Sequence, residues 1–174
     1  MFNFFKKENK RKFEKISALT WSKASPEHAN GLDWANMYLR LEKPKRATRK
    51  SAGYDFFAPF GFTLEPGEVM LIPTGIKSYM NDNDVLLVFP RSSLGFKYRM
   101  VIVNTVGIID ADYVDNPKNE GHIFIKIENR GDLSMTISAG EAFCQGMFFN
   151  YLLTCDDNTK EERVGGIGST SAKK

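Results

Sequence analysis

From Val69 onward the chain alternates short apolar runs with turn residues. The runs are Val69–Ile72, Ile76–Met80, Val85–Phe89, Met100–Val103, Ile123–Ile127 and Gly146–Leu153. Around them fall Glu65-Pro66-Gly67, Asn81-Asp82-Asn83-Asp84, Asn116-Pro117 and Arg130-Gly131-Asp132. Short strands broken by frequent turns predict an all-β sandwich or barrel. Upstream, Met37, Leu39 and Leu41 alternate with Tyr38, Arg40 and Glu42, a two-residue period that predicts one more strand. No long helical period and no internal repeat follow.

At 174 residues the chain has room for one domain with an extension. Its 42% hydrophobic content and 14 phenylalanines allow a sizeable core. No apolar run is long enough to span a membrane. The N-terminus lacks the layout of a signal peptide. Two cysteines, Cys144 and Cys155, make no disulfide framework and predict a reducing, cytoplasmic setting. Two distant histidines and no Cys-x-x-Cys argue against zinc.

Charge divides the chain. Residues 1–50 carry 13 Lys and Arg against 5 Asp and Glu, while residues 51–174 carry 11 against 16. The basic surplus therefore belongs to the leading segment, and three parts are expected: a basic extension over 1–33, a β domain over 34–158 and a flexible arm over 159–174. In the extension Phe2, Phe4, Phe5 and Phe13 sit among six lysines and arginines. One reading is a basic amphipathic helix for a membrane surface, nucleic acid or a protein partner. The plainer reading is a short helix that caps the domain with its phenylalanines. Ser25-Pro26-Glu27 has the form of a helix start, and Trp21 and Trp34 are candidate anchors.

The chemistry gathers around Asn104–Tyr113. A strand, Met100–Val103, runs into a turn that needs glycine, and a return strand, Gly107–Ile109, ends in Asp110, Asp112 and Tyr113. If the strand continues, Asp110 and Asp112 share a face. A carboxylate placed there suits activation of a water. Four more stretches stand out. Ala52-Gly53-Tyr54-Asp55 sets a carboxylate after a glycine, equally a plain turn. Pro90-Arg91-Ser92-Ser93-Leu94-Gly95 offers a guanidinium and two hydroxyls to an anion, or simply a cap. Gly140–Gln145 brings an amide into an apolar strand, where it needs a partner. Gly165–Ser171 is a glycine-rich tail without the Gly-Lys-Ser/Thr of a P-loop.

In this order the five stretches resemble the motifs of the trimeric deoxyuridine triphosphatases (dUTPases), over about residues 36–171. Asn119-Glu120-Gly121-His122 resembles the Gram-positive bacterial and phage versions. The resemblance implies a distorted jelly-roll β subunit, a homotrimer with active sites shared between chains, and hydrolysis of dUTP to dUMP and pyrophosphate with Mg²⁺. It implies Asp110 as the base that holds the water in line with the α-phosphorus, and Asp55 acting on metal-bound water. Arg91, Ser92, Ser93 and Gln145 would hold phosphates. Asn104, Gly107 and Ile109, in a tight hairpin, would read the uracil edge, and Tyr113 would pack on the deoxyribose. Arg163, Ile167, Gly168 and Ser169 would close the site from the arm.

Two positions depart from the family pattern. Ile167 stands where a phenylalanine usually stacks on uracil, and Arg163 lies closer than usual to the glycines. Two other readings stay open here: a dCTP deaminase, which shares the fold but uses a glutamate by the base, and a nucleotide-switched regulatory protein.

Overall fold

The structure is a computed structural model that describes residues 9–24, 33–161, 163 and 165. Eleven strands and three short helices are present among the described residues. The largest sheet holds β2 (Tyr54–Phe57), β11 (Ala142–Asn150), β6 (Asp84–Pro90) and β8 (Gly107–Asp110), in that order. A second sheet orders β4 (Val69–Pro73), β9 (Phe124–Asn129) and β7 (Met100–Ile102). Two antiparallel pairs complete the set: β1 (Lys12–Lys15) with β5 (Ile76–Tyr79), and β10 (Met135–Ile137) with β3 (Phe62–Leu64). The sheets do not close into a barrel, and the fold is all-β.

Successive side chains on a strand face opposite ways, so a strand can bury one face. In β6, Leu86 and Val88 are buried while the residues between them are only partly covered. The buried positions of every sheet meet in one core, with Phe56, Ile72, Leu86, Ile127, Ile137 and Phe143 fully enclosed. Burying a side chain of this size contributes roughly 1.5–3 kcal/mol.

Three expectations change. The alternation over Met37–Leu41 does not make a strand: Trp34–Arg40 is helix α2. Asp33 caps it by accepting the Asn36 N–H, and Trp34, Met37 and Tyr38 fall at i, i+3 and i+4 on one packed face. Leu39, which the two-residue period would have buried, is 74% exposed. Second, Ser92–Tyr98 is a helix, α3, that turn chemistry concealed. Third, Met100–Ile102 and Gly107–Asp110 are not partners in a hairpin: β7 pairs with β9 and β8 with β6. The turn between them carries the chain from one sheet to the other, with Thr105 at φ 70°, a costly conformation for a β-branched residue.

The leading segment is joined to the body. Phe13 is buried in the main core against Tyr54, Phe56 and Phe148, at centroid distances of 5.4, 5.7 and 5.4 Å. Lys12–Lys15 is thus a strand, where a capping helix was expected. Helix α1 (Ala18–Lys23) then buries Trp21, whose indole N–H donates to the Trp34 carbonyl at 2.9 Å. Arg11 reaches the buried Asp84 carboxylate at 2.6 Å. The helix start at Ser25-Pro26-Glu27 and Phe2, Phe4 and Phe5 lie outside the described residues. No described helix is long and apolar enough to cross a membrane.

Candidate active site

The candidate residues fall into two groups. The first surrounds a cavity of about 580 Å³ lined by Asn104, Gly107, Ile109, Asp110, Tyr113 and Arg163, together with Val88 and Phe124. Gly107 lies against β6, where a Cβ would come within 3.1 Å of Val88 Cβ. The turn between the sheets therefore wraps backbone and aliphatic surface around the opening, while Asp110 ends β8 at its rim. The strand stops there, and a single 3₁₀ turn, Ala111–Tyr113, follows. Asp110 and Asp112 nevertheless converge, because the Arg163 guanidinium bridges both carboxylates, at 2.9 Å from Nε to Asp112. The same guanidinium lies 5.9 Å from the Tyr113 ring centre.

Tyr113 is held from below. Its hydroxyl donates to the His122 carbonyl and accepts from Asn119 Nδ2, both at 2.9 Å. Asn116 Nδ2 donates to the Tyr113 carbonyl at 2.9 Å. Burial pushes the phenol above its ordinary pKa, so it stays protonated. Asn116, Asn119 and His122 were not singled out for function from the sequence. The four-residue stretch Asn119–His122 carried the only signal.

The second group lies at the other end of β6. Asp55 in β2 and Gln145 in β11 are direct cross-strand partners, and Gln145 Nε2 sits 3.4 Å from the Pro90 carbonyl. Arg91 follows β6, with Nε 3.5 Å from Asp55 Oδ1. A bulge at Phe143 makes Ala142, Phe143 and Cys144 consecutively buried and leaves Gln145 on the more open face. Gly53 leaves room beside it, since a Cβ there would lie 2.4 Å from Gln145 Oε1 and push the carboxamide aside. Ser92 and Ser93 open α3, exposed, where backbone N–H groups lack intrahelical acceptors. Asp55, Arg91, Ser92, Ser93 and Gln145 thus form an anion-suited cluster, and none of them lines the cavity.

A strand ruler separates the groups. Asp110 pairs with Val85, and Arg91 lies six residues farther along, roughly 20 Å away at strand rise. Ile167, Gly168 and Ser169 lie outside the described residues.

The dUTPase family model matches residues 40–171. The chain belongs to the dUTPase family. It is 47% identical over 131 residues to the deoxyuridine 5'-triphosphate nucleotidohydrolase of Lactococcus lactis, covering 74% of this chain and 87% of that one. Identity to the corresponding protein of Hahella chejuensis is 36% over 138 residues, 75% of this chain and 87% of the other. The crystal structure of the Streptococcus mutans dUTPase superposes with a TM-score of 0.62 at 38% identity, covering 82% of this chain and 97% of that one. A point mutant of the dUTPase of phage phi11 of S. aureus, described with a structural Mg(II) ion, shares the fold at 20% identity. Its TM-score is 0.61, with 88% and 98% of the two chains covered. All the dUTPase motifs seen in the sequence lie inside the matched span, and β1 and α1 precede it.

As for a metal, no group of three or more His, Cys, Asp or Glu gathers among the described residues. The described residues do not form a cage for a cation held wholly by protein. One held largely by substrate phosphates and water does, because that mode needs only one or two carboxylates. Asp55, with its side chain 18% exposed beside Arg91, suits it.

Proposed function

We propose that this dUTPase-family chain hydrolyses dUTP to dUMP and pyrophosphate, in three sites each assembled from more than one copy of the chain. The observation that carries the reading is the separation along β6. Asp110 and Tyr113 line a nucleoside-sized cavity, while Arg91, clustered with Asp55 and Gln145, lies roughly 20 Å from Asp110 along β6. None of the cluster lines that cavity, so in this reading a second copy supplies the phosphate-holding groups. The exposed Leu71, Val103 and Ile108 beside the cavity are apolar surface suited to such an assembly.

In the proposed site the uracil edge faces Asn104 and the backbone between Gly107 and Ile109. Fixed backbone donors and acceptors separate uracil from cytosine, because a mismatched buried group goes unpaired. Tyr113 packs on the deoxyribose and leaves no space for a 2′-hydroxyl. Asp110 orients a water and takes its proton as the oxygen attacks the α-phosphorus and the bond to the pyrophosphate oxygen breaks. Arg91, Ser92, Ser93 and Gln145 of a second copy hold the leaving phosphates. Arg163 would exchange Asp110 for phosphate oxygens as substrate enters, freeing the carboxylate for water, while Ile167, Gly168 and Ser169 close the arm. Asp55 would hold Mg²⁺ through water, and the ion supplies charge neutralisation of the phosphates when bound.

Cytoplasmic location belongs to the same proposal and agrees with two free cysteines, Cys144 and Cys155. So does the three-part division of the chain at 33 and 158. A protein or nucleic-acid contact through residues 1–33 would use exposed groups such as Lys12 of β1, since Phe13 and Trp21 face inward.

Pyrophosphate release from dUTP, dCTP, dTTP and UTP tests the substrate, with activity confined to dUTP expected. Ammonia release from dCTP at a comparable rate would overturn it. Sharing of sites is tested by co-refolding two inactive variants, Asp110→Asn and Arg91→Ala. Recovered activity is expected only in the mixture, and a mixture as inactive as its parts refutes shared sites.

A further inference from the structure

Beyond the five motifs, the segment ahead of the family-matched span makes contact with the loop beneath Tyr113. We propose that Glu120 is a positioning residue for the sugar gate, tethered by Ser17 and Thr20 of the leading segment. The proposal rests on the reading of Tyr113 as the deoxyribose gate.

Every polar partner of Tyr113 named above belongs to the loop from Asp115 to His122. That loop is closed tightly on itself: Asp115 N–H donates to the Glu120 carbonyl at 3.0 Å, and Glu120 N–H to the Asn116 carbonyl at 2.9 Å. The closure requires left-handed backbone at Asp115, Glu120 and Gly121, with φ of 56, 59 and 77°. Gly121 cannot be otherwise, because a Cβ would lie 2.6 Å from Val114 Cα and 2.7 Å from the Tyr113 carbonyl. Glu120 has no such freedom, and left-handed backbone is strained for a residue with a side chain. Something outside the loop must hold it.

The holder is the start of α1. Ser17 is the N-cap of that helix, and its backbone N–H donates to Glu120 Oε2 at 3.0 Å. The Ser17 and Thr20 hydroxyls both donate to the other oxygen, Oε1. Lys77 Nζ stands 3.9 Å from Oε2. The hydroxyl donors hold the Glu120 carboxyl down at about 2, so it is charged throughout the working range. A carboxylate at a helix start is also favoured by the exposed N–H groups there.

The leading segment is a firm support because its own anchors do not involve Glu120. It is fixed by the β1–β5 ladder, by buried Phe13 and Trp21, and by the Arg11–Asp84 pair. Removing the carboxylate therefore loosens the Glu120 end of the loop without undocking the segment, while Asp115 stays tied to Lys77 and Tyr79 and His122 to Gly75. The Asn119 partner of the phenol then moves, and the ring loses its fixed distance from C2′ of the sugar. A positioning error of this kind acts on specificity more than on folding.

The test is steady-state kinetics of the full chain on dUTP and UTP, reading the ratio of the two kcat/KM values. Glu120→Ala is expected to lower that ratio about five- to tenfold. The change should come mainly through KM for dUTP and faster use of UTP. Glu120→Gln, which keeps an acceptor oxygen, recovers most of the ratio. Ser17→Ala combined with Thr20→Ala lowers it similarly, and adding Glu120→Ala lowers it no further, since all three remove one contact. A ratio unchanged in Glu120→Ala while Tyr113→Ala lowers it refutes the proposal and leaves the gate reading intact. A ratio unchanged in Tyr113→Ala overturns the gate reading and the proposal together. Additive effects of the Ser17/Thr20 and Glu120 changes would sever the proposed link to α1.

Discussion

His122 sets an acid limit on the stability of this fold. Its side chain is fully buried between Phe124, with ring centres 4.1 Å apart, and Trp21, at 6.3 Å. Its Nε2 accepts the Gly75 N–H at 2.8 Å, and Nδ1 has no hydrogen-bond partner among the described residues. Protonation would turn the acceptor into a donor facing a donor and bury a charge that the attraction of Glu120 only partly offsets. Burial accordingly lowers the pKa from 6.5 to about 4. The unfolded chain binds this proton near 6.5 and the folded chain only near 4. Stability is therefore complete above the unfolded value and falls as pH drops between the two. The loss relative to pH 8 is about 2 kcal/mol at pH 5 and about 3 kcal/mol at pH 4. Glu120 acts in a lower window: its pKa is depressed from 4.5 to about 2, so its contribution is present above 4.5 and is lost only below that. Urea unfolding, followed by tryptophan emission at fixed protein concentration, measures the difference between pH 8 and pH 5. His28→Gln is placed in every protein, so that His122 is the one remaining histidine. Replacing His122→Gln preserves an acceptor for Gly75 and removes the titration. That variant is expected to lose about 2 kcal/mol of the pH difference, and an unaltered difference would refute the argument.

Phe13→Ala empties a site enclosed by three aromatic rings; a loss of about 3–5 kcal/mol in denaturant unfolding is expected. A loss below about 1 kcal/mol would mean that β1 contributes little. Gly53→Ala forces a methyl onto the Gln145 carboxamide, which can swing away at small cost, so melting should change little while dUTP turnover falls more than tenfold. Unchanged turnover would remove Gln145 from the site. Gly121→Ala meets the backbone of Tyr113, Val114 and Asp115 and should lower both the melting temperature and the dUTP-to-UTP preference; a variant with normal values would show that the loop is free to rearrange.

Much of this protein could be read along the chain. Short apolar runs bounded by turn residues give β6 and β9, because a strand buried along one or both faces needs little polar surface. The motif residues were visible because glycine, carboxylate, guanidinium and amide side chains have few reasons to stand in such places. The same local view misread Met37–Leu41, since a five-residue alternation cannot reveal that Asp33 caps a helix whose Trp34, Met37 and Tyr38 share one half-buried, packed face. It also paired β7 with β8. Proximity in sequence suggests a hairpin, but β7 pairs with β9 and β8 with β6, so the two strands end in different sheets.

What the sequence determined by itself was the β character, the family and the types of chemical group at the site, all properties of single residues and short spacings. Tertiary structure alone decided how those groups are divided. It set Asp110 beside Tyr113 and Arg163, put Arg91 with Asp55 and Gln145 at the far end of β6, and brought Ser17 and Thr20 onto Glu120 across a hundred residues. The physical reason is that strand pairing and core burial are non-local. The partner of a strand, and so the company each side chain keeps, is chosen by the whole core rather than by its neighbours in sequence.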